Sequence, residues 1–118
     1  MAVVGIGPGG PEEMTPRARR AIEEAEVVVG YRTYLDLVRE LTENKEVHSS
    51  PMRGEVERCR LAVELARAGR RVAVISSGDP GIYGMAGLVL EIVGESGRPP
   101  VEIIPGITAA SAAAAAAE

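Results

Sequence analysis

The stretch Val72-Ala73-Val74-Ile75-Ser76-Ser77-Gly78-Asp79-Pro80 decides the fold. Its first four residues form a continuous apolar run, which is typical of a strand buried on both faces of a parallel sheet. The following segment, 76–87, carries a glycine at every third position from Gly78 onward. We predict a turn in which bare backbone and the Asp79 carboxylate hold a polar ligand. A role for Asp79 as a turn or helix cap is the alternative.

Strand patterns and helix patterns alternate on both sides of this stretch. Strands are predicted at 2–6, 26–29, 46–48, 71–76 and 101–104. Helices are predicted from Thr15-Pro16, at 34–41, 54–68 and 85–93, and from Thr108 onward. The residues predicted to face the core are Ala18, Ala21, Ile22, Ala25, Leu37, Val38, Leu41, Val56, Cys59, Val63 and Ala66. This alternation predicts a single α/β/α domain with a mostly parallel five-stranded sheet.

Composition excludes several classes of function. The 118 residues are 46% hydrophobic and 25% charged, as in ordinary globular proteins, and carry a net charge of −4. The acidic balance and the absence of Phe and Trp argue against a nucleic-acid-binding surface, and no apolar run is long enough to span a membrane. The one cysteine, Cys59, fits a reducing compartment, so we expect a cytoplasmic protein. His48 is the one histidine, and no cluster has the spacing of metal ligands.

The glycine-rich segment Gly5-Ile6-Gly7-Pro8-Gly9-Gly10 satisfies the G-x-G-x-x-G pattern. In dinucleotide-binding proteins that pattern opens a helix directly, whereas the helix signal here begins only at Thr15. Arg32, after the second strand, keeps an NADP site open as an alternative, and so does a purely structural turn. We favour a loop whose glycines let a bulky ligand approach the backbone.

Three glycine-marked turns follow predicted strands and should meet at one edge of the sheet. They are 5–10, 78–87 and 105–108, and ligands of open parallel sheets bind beyond the carboxyl ends of the strands. Thr108 in the third turn also suits a helix N-cap. We expect His48 at a surface or strand end and Cys59 in the core.

The segments Gly5-Ile6-Gly7-Pro8-Gly9, Gly78-Asp79-Pro80 and Pro105-Gly106-Ile107-Thr108-Ala109, in this order, resemble those of the tetrapyrrole methylases. The segments 30–38, 52–60 and 76–91 look like the branch of precorrin-3B C(17)-methyltransferases. The resemblance implies S-adenosylmethionine-dependent methylation of carbon 17 of precorrin-3B, or of cobalt-factor III in the anaerobic pathway, with ring contraction in cobalamin biosynthesis. It also implies a homodimer of two-domain subunits, with residues 1–118 as the N-terminal domain.

The resemblance also assigns site residues. The implied cofactor contacts are Pro8, Ser77, Gly78, Asp79, Ile82, Thr108 and Ala109. The implied substrate contacts are Gly7, Gly9, Arg32 and Arg53, the arginines because the substrate carries many carboxylates. Tyr31 stands where uroporphyrinogen methylases of the same family have an aspartate implicated as a proton acceptor, which makes Tyr31 the candidate catalytic residue and indicates a different substrate.

Other functions remain open at the level of sequence. One is a different precorrin methyltransferase, a second is an NADP-dependent reductase domain, and a third is a non-catalytic binding or oligomerisation module. The chain ends in six alanines and Glu118. From this we expect a fragment without its C-terminal domain and with little activity alone.

Overall fold

The computed structural model describes residues 1–7, 14–50, 54–77 and 79–106, with the backbone alone for 79–82. The strands are β1 (Ala2–Gly5), β2 (Val27–Tyr31), β3 (Glu46–Ser50), β4 (Val72–Ser76) and β5 (Glu102–Ile104). The helices are α1 (Pro16–Glu24), α2 (Arg32–Leu37), α3 (Arg39–Thr42), α4 (Glu55–Arg67) and α5 (Asp79–Val93). A short 3₁₀ turn, Gly94–Ser96, follows α5.

The five strands form one sheet in the order β3-β2-β4-β1-β5, and every described pairing is parallel. This confirms the predicted fold class. The strand β4 lies in the centre, and all five of its residues are buried, as its unbroken apolar sequence predicts. Two apolar clusters cover the two faces of the sheet, one packed under α4 and α5 and the other under α1 and α2.

The residues predicted to begin α1 and to end α4 are confirmed. The Thr15 hydroxyl accepts a hydrogen bond from the backbone N–H of Ala18 at 3.1 Å, and Pro16 is the first residue of α1. Beyond the end of α4, Gly69 adopts a left-handed conformation with φ +91°, which glycine permits at low cost.

Four local predictions about the helices and their buried faces are wrong, and the strands predicted at 26–29 and 46–48 both extend two residues further, to Tyr31 and Ser50. The last described helix begins at Asp79 rather than near residue 85, so Gly84 and Gly87 are helical residues rather than turn residues. Packing against the sheet on one face of α5 outweighs the low helix propensity of glycine. The helix predicted at 34–41 begins at Arg32 instead and is interrupted at Val38.

The other two errors concern apolar residues. Leu37 and Val56, both predicted to face the core, are each 39% exposed. Leu37 is the last residue of α2 and Val56 is the second residue of α4, so neither lies in the middle of its helix. Within the part of the chain that the structure describes, no helix has the length and apolarity needed to cross a membrane.

Candidate functional site

The carboxyl ends of β1, β4 and β5 meet at one edge of the sheet. Gly5 is in register with Ser76, and the backbone N–H of Ile6 donates to the Ser76 carbonyl at 3.0 Å. On the other side of β1, Val4 is in register with Ile104, so Gly106 lies next to the end of β1. Among the described residues the sheet therefore brings together Gly5, Ser76 and Gly106, which lie in or directly before the three glycine-marked segments; residues 8–10 of the first segment and 107–108 of the third lie outside the described residues.

The structure gives two of these glycines a packing role. A Cβ on Gly106 would lie 2.5 Å from the carbonyl oxygen of Gly5 and 3.0 Å from the backbone nitrogen of Gly7. A Cβ on Gly5 would lie 2.7 Å from the backbone nitrogen of Gly106. The two strand ends thus touch through backbone alone, and Gly7 adopts a left-handed conformation with φ +75°. The requirement for glycine at position 5 is therefore explained by the close approach of two backbone segments, and not by the approach of a ligand that the sequence pattern suggests.

A cleft of about 240 Å³ opens beside the carboxyl end of β4. It lies between the sheet edge and the first turns of α2, α4 and α5. Its lining residues are Tyr34, Glu55, Arg58, Ser76, Ser77, Gly84 and Met85. It therefore contains hydroxyl groups, one acid and one base beside the strand end that the sequence predicts to bind a cofactor.

Tyr31, the candidate catalytic residue, is the last residue of β2 and is half-buried. Its ring meets the ring of Tyr34 edge to face, with centroids 5.4 Å apart and planes at 80°. Because Tyr34 lines the cleft, this contact places Tyr31 next to it. Arg32 is the first residue of α2 and is exposed, at the same edge of the sheet.

The remaining predicted site residues divide into two groups. Asp79 and Ile82 lie in the first turn of α5, directly after the Ser77 that lines the cleft. Pro8, Gly9, Arg53, Gly78, Thr108 and Ala109 lie outside the described residues. Among the described residues the structure thus assembles Gly7, Ser77, Tyr31, Arg32 and the start of α5 along one edge.

Arg58 is a buried residue of the cleft that the sequence patterns do not single out. It lies in the first turns of α4, is 5% exposed, and lines the cleft. Its Nη1 donates to the hydroxyl of Ser50, the last residue of β3, at 2.7 Å. One signal was available: Arg58 directly precedes Cys59 on the buried stripe of α4, an unusual place for an arginine.

Three other features are not part of this cleft: a second groove, the pair formed by His48 and Glu46, and the buried thiol of Cys59. A larger groove of about 790 Å³ is lined by Arg67, Arg98 and neighbours, and it precedes the amino-terminal end of β5, opposite the expected ligand edge. His48 lies on the edge strand β3 and contacts the Glu46 carboxylate at 2.7 Å; this hydrogen bond is the main reason why the pKa of Glu46 is lowered. Burial raises the pKa of the Cys59 thiol to about 11, as expected for a core residue.

The separation in sequence between the end of β1 and the start of α1 argues against dinucleotide binding. In the dinucleotide fingerprint the helix opens at the glycines, so that its N-terminus meets the pyrophosphate. Here β1 ends at Gly5, whereas α1 begins only at Pro16, where the Thr15 hydroxyl accepts a hydrogen bond from the backbone N–H of Ala18.

Comparisons with known proteins agree with this geometry. The chain is 54% identical over 115 residues to the probable cobalt-factor III C(17)-methyltransferase of Salmonella typhimurium, covering 97% of this chain and 48% of that protein. The solved structure of the methyltransferase CobJ superposes with a TM-score of 0.80 at 40% identity, covering 98% of this chain and 49% of the other. The chain thus spans about half the length of these relatives.

A third comparison concerns a liganded protein. The uroporphyrin-III C-methyl transferase of Thermus thermophilus, solved in complex with S-adenyl homocysteine, superposes with a TM-score of 0.68 at 31% identity, covering 96% of this chain and 47% of that one. The sequence profile of the tetrapyrrole (corrin/porphyrin) methylases matches residues 1–118. The chain therefore belongs to the tetrapyrrole methylase family.

Proposed function

We propose that this chain forms the N-terminal part of an S-adenosylmethionine-dependent methyltransferase of cobalamin biosynthesis. Its substrate is cobalt-factor III or precorrin-3B, which is methylated at carbon 17 as the macrocycle contracts. The observation that carries the proposal is the 54% identity to a probable cobalt-factor III C(17)-methyltransferase across nearly the whole chain. The junction of β1, β4 and β5 supports it, because the cleft lies where ligands of parallel sheets bind.

The described residues fit the proposed cofactor. S-adenosylmethionine carries a ribose diol and an amino-acid group, which need hydrogen-bond donors and acceptors at short spacing. The lining of the cleft includes Ser76, Ser77 and Tyr34, and the start of α5 lies directly beyond Ser77. S-adenyl homocysteine, the demethylated form of this donor, occupies the related Thermus enzyme, which supports the same choice here.

The bound donor would supply an already activated methyl group on a sulfonium, so the protein mainly has to position the two reactants. In this proposal Ser77 and the start of α5 bind the donor, with Gly7 lining the approach of the substrate. Arg32 is exposed at the same edge and suits a carboxylate of the substrate. Tyr31 is the group proposed to hold or move a proton, and its contact with Tyr34 fixes its ring.

In this proposal the complete active site also needs residues from the part of the longer relatives that this chain does not match. The chain covers 48% of the Salmonella protein and 49% of CobJ. A donor held on one side only should bind weakly, and turnover should be low. We therefore expect this chain alone to bind S-adenosylhomocysteine with an affinity well below that of a two-domain relative.

We also propose that the protein works in the cytoplasm as a homodimer. The support on this chain is an exposed apolar pair on α5, where Tyr83 is 64% exposed and Leu90 is 49% exposed. These two residues lie on the same face of the helix, two turns apart, and monomeric proteins rarely expose large apolar patches.

The deciding experiment is a calorimetric titration of the chain with S-adenosylhomocysteine and, separately, with NADP. Binding of the first without the second supports the proposal, whereas NADP binding alone would favour the reductase alternative. Asp79→Asn then tests the proposed contact with the donor. Loss of a charge-assisted hydrogen bond should weaken binding by about 1.5–3 kcal/mol, roughly 10- to 150-fold. A capping role predicts nearly unchanged affinity, because Asn caps about as well as Asp.

A further inference from the structure

Ser76, the last residue of the central strand, carries a hydroxyl to which the described part of the fold gives no partner. Ser76 is 3% exposed, and its backbone is held by the pairing with Gly5 and by the hydrogen bond from the N–H of Ile6. Among the residues that the structure describes, none forms a hydrogen bond with the Ser76 Oγ. Because the hydroxyl of a buried serine normally has a partner, this one indicates a group that the described residues do not supply.

The alternation of side chains along β4 places this hydroxyl on the side of the cleft. Val74 belongs to the apolar cluster under α4 and α5, whereas Ile75 belongs to the cluster on the opposite face of the sheet. Successive side chains of a strand point to opposite faces, so Ser76 points towards α4 and α5, as Val74 does. The cleft of about 240 Å³ is lined by Ser76 together with residues of these two helices, and the hydroxyl therefore lies at its wall.

The wall around this hydroxyl is apolar. Met85 lines the cleft and is 8% exposed, and its Sδ accepts a hydrogen bond from the buried Cys59 thiol at 3.1 Å. A few placed polar groups on an otherwise apolar wall are typical of sites that orient a small molecule. The 15-residue helix α5 begins three residues after Ser76, and the first N–H groups of a helix lack partners within the helix. The hydroxyl and the start of α5 thus lie close enough in the chain to hold one ligand.

We propose that Ser76 is a further binding residue for the methyl donor, which its hydroxyl orients through one hydrogen bond. The inference rests on the proposed function for the identity of the ligand, because Ser77 and the start of α5 are the elements proposed to hold the donor. A hydroxyl both donates and accepts, so it suits a ribose hydroxyl or the amino-acid group of the donor. Other serines have tasks inside the fold: the Ser50 hydroxyl accepts from Arg58, and the Ser96 hydroxyl donates to the Val93 carbonyl at 2.9 Å.

The test compares binding with stability in the same variants. The ¹⁵N-labelled chain is titrated with S-adenosylhomocysteine by NMR, which also measures weak binding, and unfolded in urea. Ser76→Ala should raise the dissociation constant by roughly 2- to 10-fold, the effect of one lost hydrogen bond between uncharged groups. Its urea midpoint should be unchanged or slightly higher, because the free chain loses no hydrogen bond. Ser76→Cys, which keeps the size of the side chain and a weak donor, should bind with an intermediate constant.

The matched control is Ser96→Ala, which removes a hydroxyl of the same kind beyond the far end of α5. It breaks the hydrogen bond to Val93, so it should lower the urea midpoint and leave the dissociation constant unchanged, the reverse of Ser76→Ala. Circular dichroism checks that each variant is folded, and Ser76→Cys keeps the test valid if Ser76→Ala is not. An unchanged dissociation constant in the folded Ser76 variants would overturn the inference. A larger fall in the midpoint for Ser76→Ala than for Ser96→Ala would also overturn it, because the hydroxyl would then serve the fold.

A second titration identifies the part of the donor and separates this inference from the proposed function. It uses 5′-methylthioadenosine, which lacks the amino-acid group. If Ser76→Ala weakens the binding of both ligands equally, the hydroxyl contacts the adenosine part, and if it weakens S-adenosylhomocysteine alone, the hydroxyl contacts the amino-acid part. Binding of S-adenosylhomocysteine with the same constant in the unmodified chain and in Ser76→Ala refutes the inference and leaves the proposed function standing. An unmodified chain that binds neither ligand at millimolar concentration counts against the proposed function, and the inference fails with it.

Discussion

Replacing glycine by alanine should have opposite effects on stability at Gly106, which contacts Gly5, and at Gly87, which lies on an open face of α5. In Gly106→Ala the new methyl carbon would lie 2.5 Å from the Gly5 carbonyl oxygen and 2.7 Å from its carbonyl carbon. Both neighbours are backbone atoms in the sheet, so neither can rotate away as a side chain would. In Gly87→Ala the new methyl group meets no atom within 4 Å, on an exposed face of α5.

The magnitudes follow from two opposing terms. Overpacking costs about 1–3 kcal/mol, and the rigid backbone contacts place Gly106→Ala in the upper part of that range. Replacing glycine also restricts the unfolded chain, which returns about 0.4–1 kcal/mol. We therefore expect Gly106→Ala to lower the free energy of unfolding by about 1–2.5 kcal/mol. Gly87→Ala should raise it by about 0.5–1 kcal/mol, the difference between alanine and glycine inside a helix.

Urea unfolding followed by circular dichroism measures both variants against the unmodified chain. With a slope of about 2 kcal/mol/M, the midpoint of Gly106→Ala should fall by roughly 0.5–1.2 M, whereas that of Gly87→Ala should rise by roughly 0.3–0.5 M. An unchanged slope would show that stability has changed rather than the unfolded state. A Gly106→Ala variant as stable as the unmodified chain, or two shifts of the same sign, would refute the close contact of the strand ends.

Three further predictions concern titration, reactivity and association. The backbone N–H of Arg71 donates to the Glu26 carboxylate at 2.9 Å, and this hydrogen bond lowers the pKa of that carboxyl below its usual 4.5. The ionised carboxylate therefore stabilises the fold above pH 4.5, and this stabilisation is lost as the pH falls through the lowered pKa. Glu26→Gln should flatten the acid side of a profile of stability against pH, and a profile identical to that of the unmodified chain would contradict this. The Cys59 thiol, with a pKa of about 11 against a usual 9.0, should react with Ellman's reagent at least about 100-fold more slowly in the folded chain than in urea, and equal rates would refute its burial. Light scattering across the micromolar range should show self-association that Tyr83→Ser with Leu90→Ser reduces, whereas a monomer at all concentrations would count against the proposed dimer.

The sequence by itself determined the fold class and predicted which edge of the sheet would carry a ligand site. An unbroken apolar run such as 72–75 suits a central parallel strand, and the structure confirms that β4 lies there with both faces covered. Local chemistry also fixed the start of α1, because the Thr15 cap and Pro16 depend only on neighbouring residues. The family is also evident from the sequence, because three short segments occur in the order typical of the tetrapyrrole methylases.

Only the tertiary structure decided which glycines serve packing and which residues meet in the cleft. Gly5 and Gly106 are about a hundred positions apart, and their contact arises because β1 and β5 are neighbours in the sheet. The start of α5 at Asp79 depends on burial against the sheet, which outweighs the low helix propensity of its glycines. The burial of Arg58 is a further example, because a sequence pattern marks it only as a charge, whereas in the fold it is buried on α4 and its Nη1 donates to Ser50 at the end of β3.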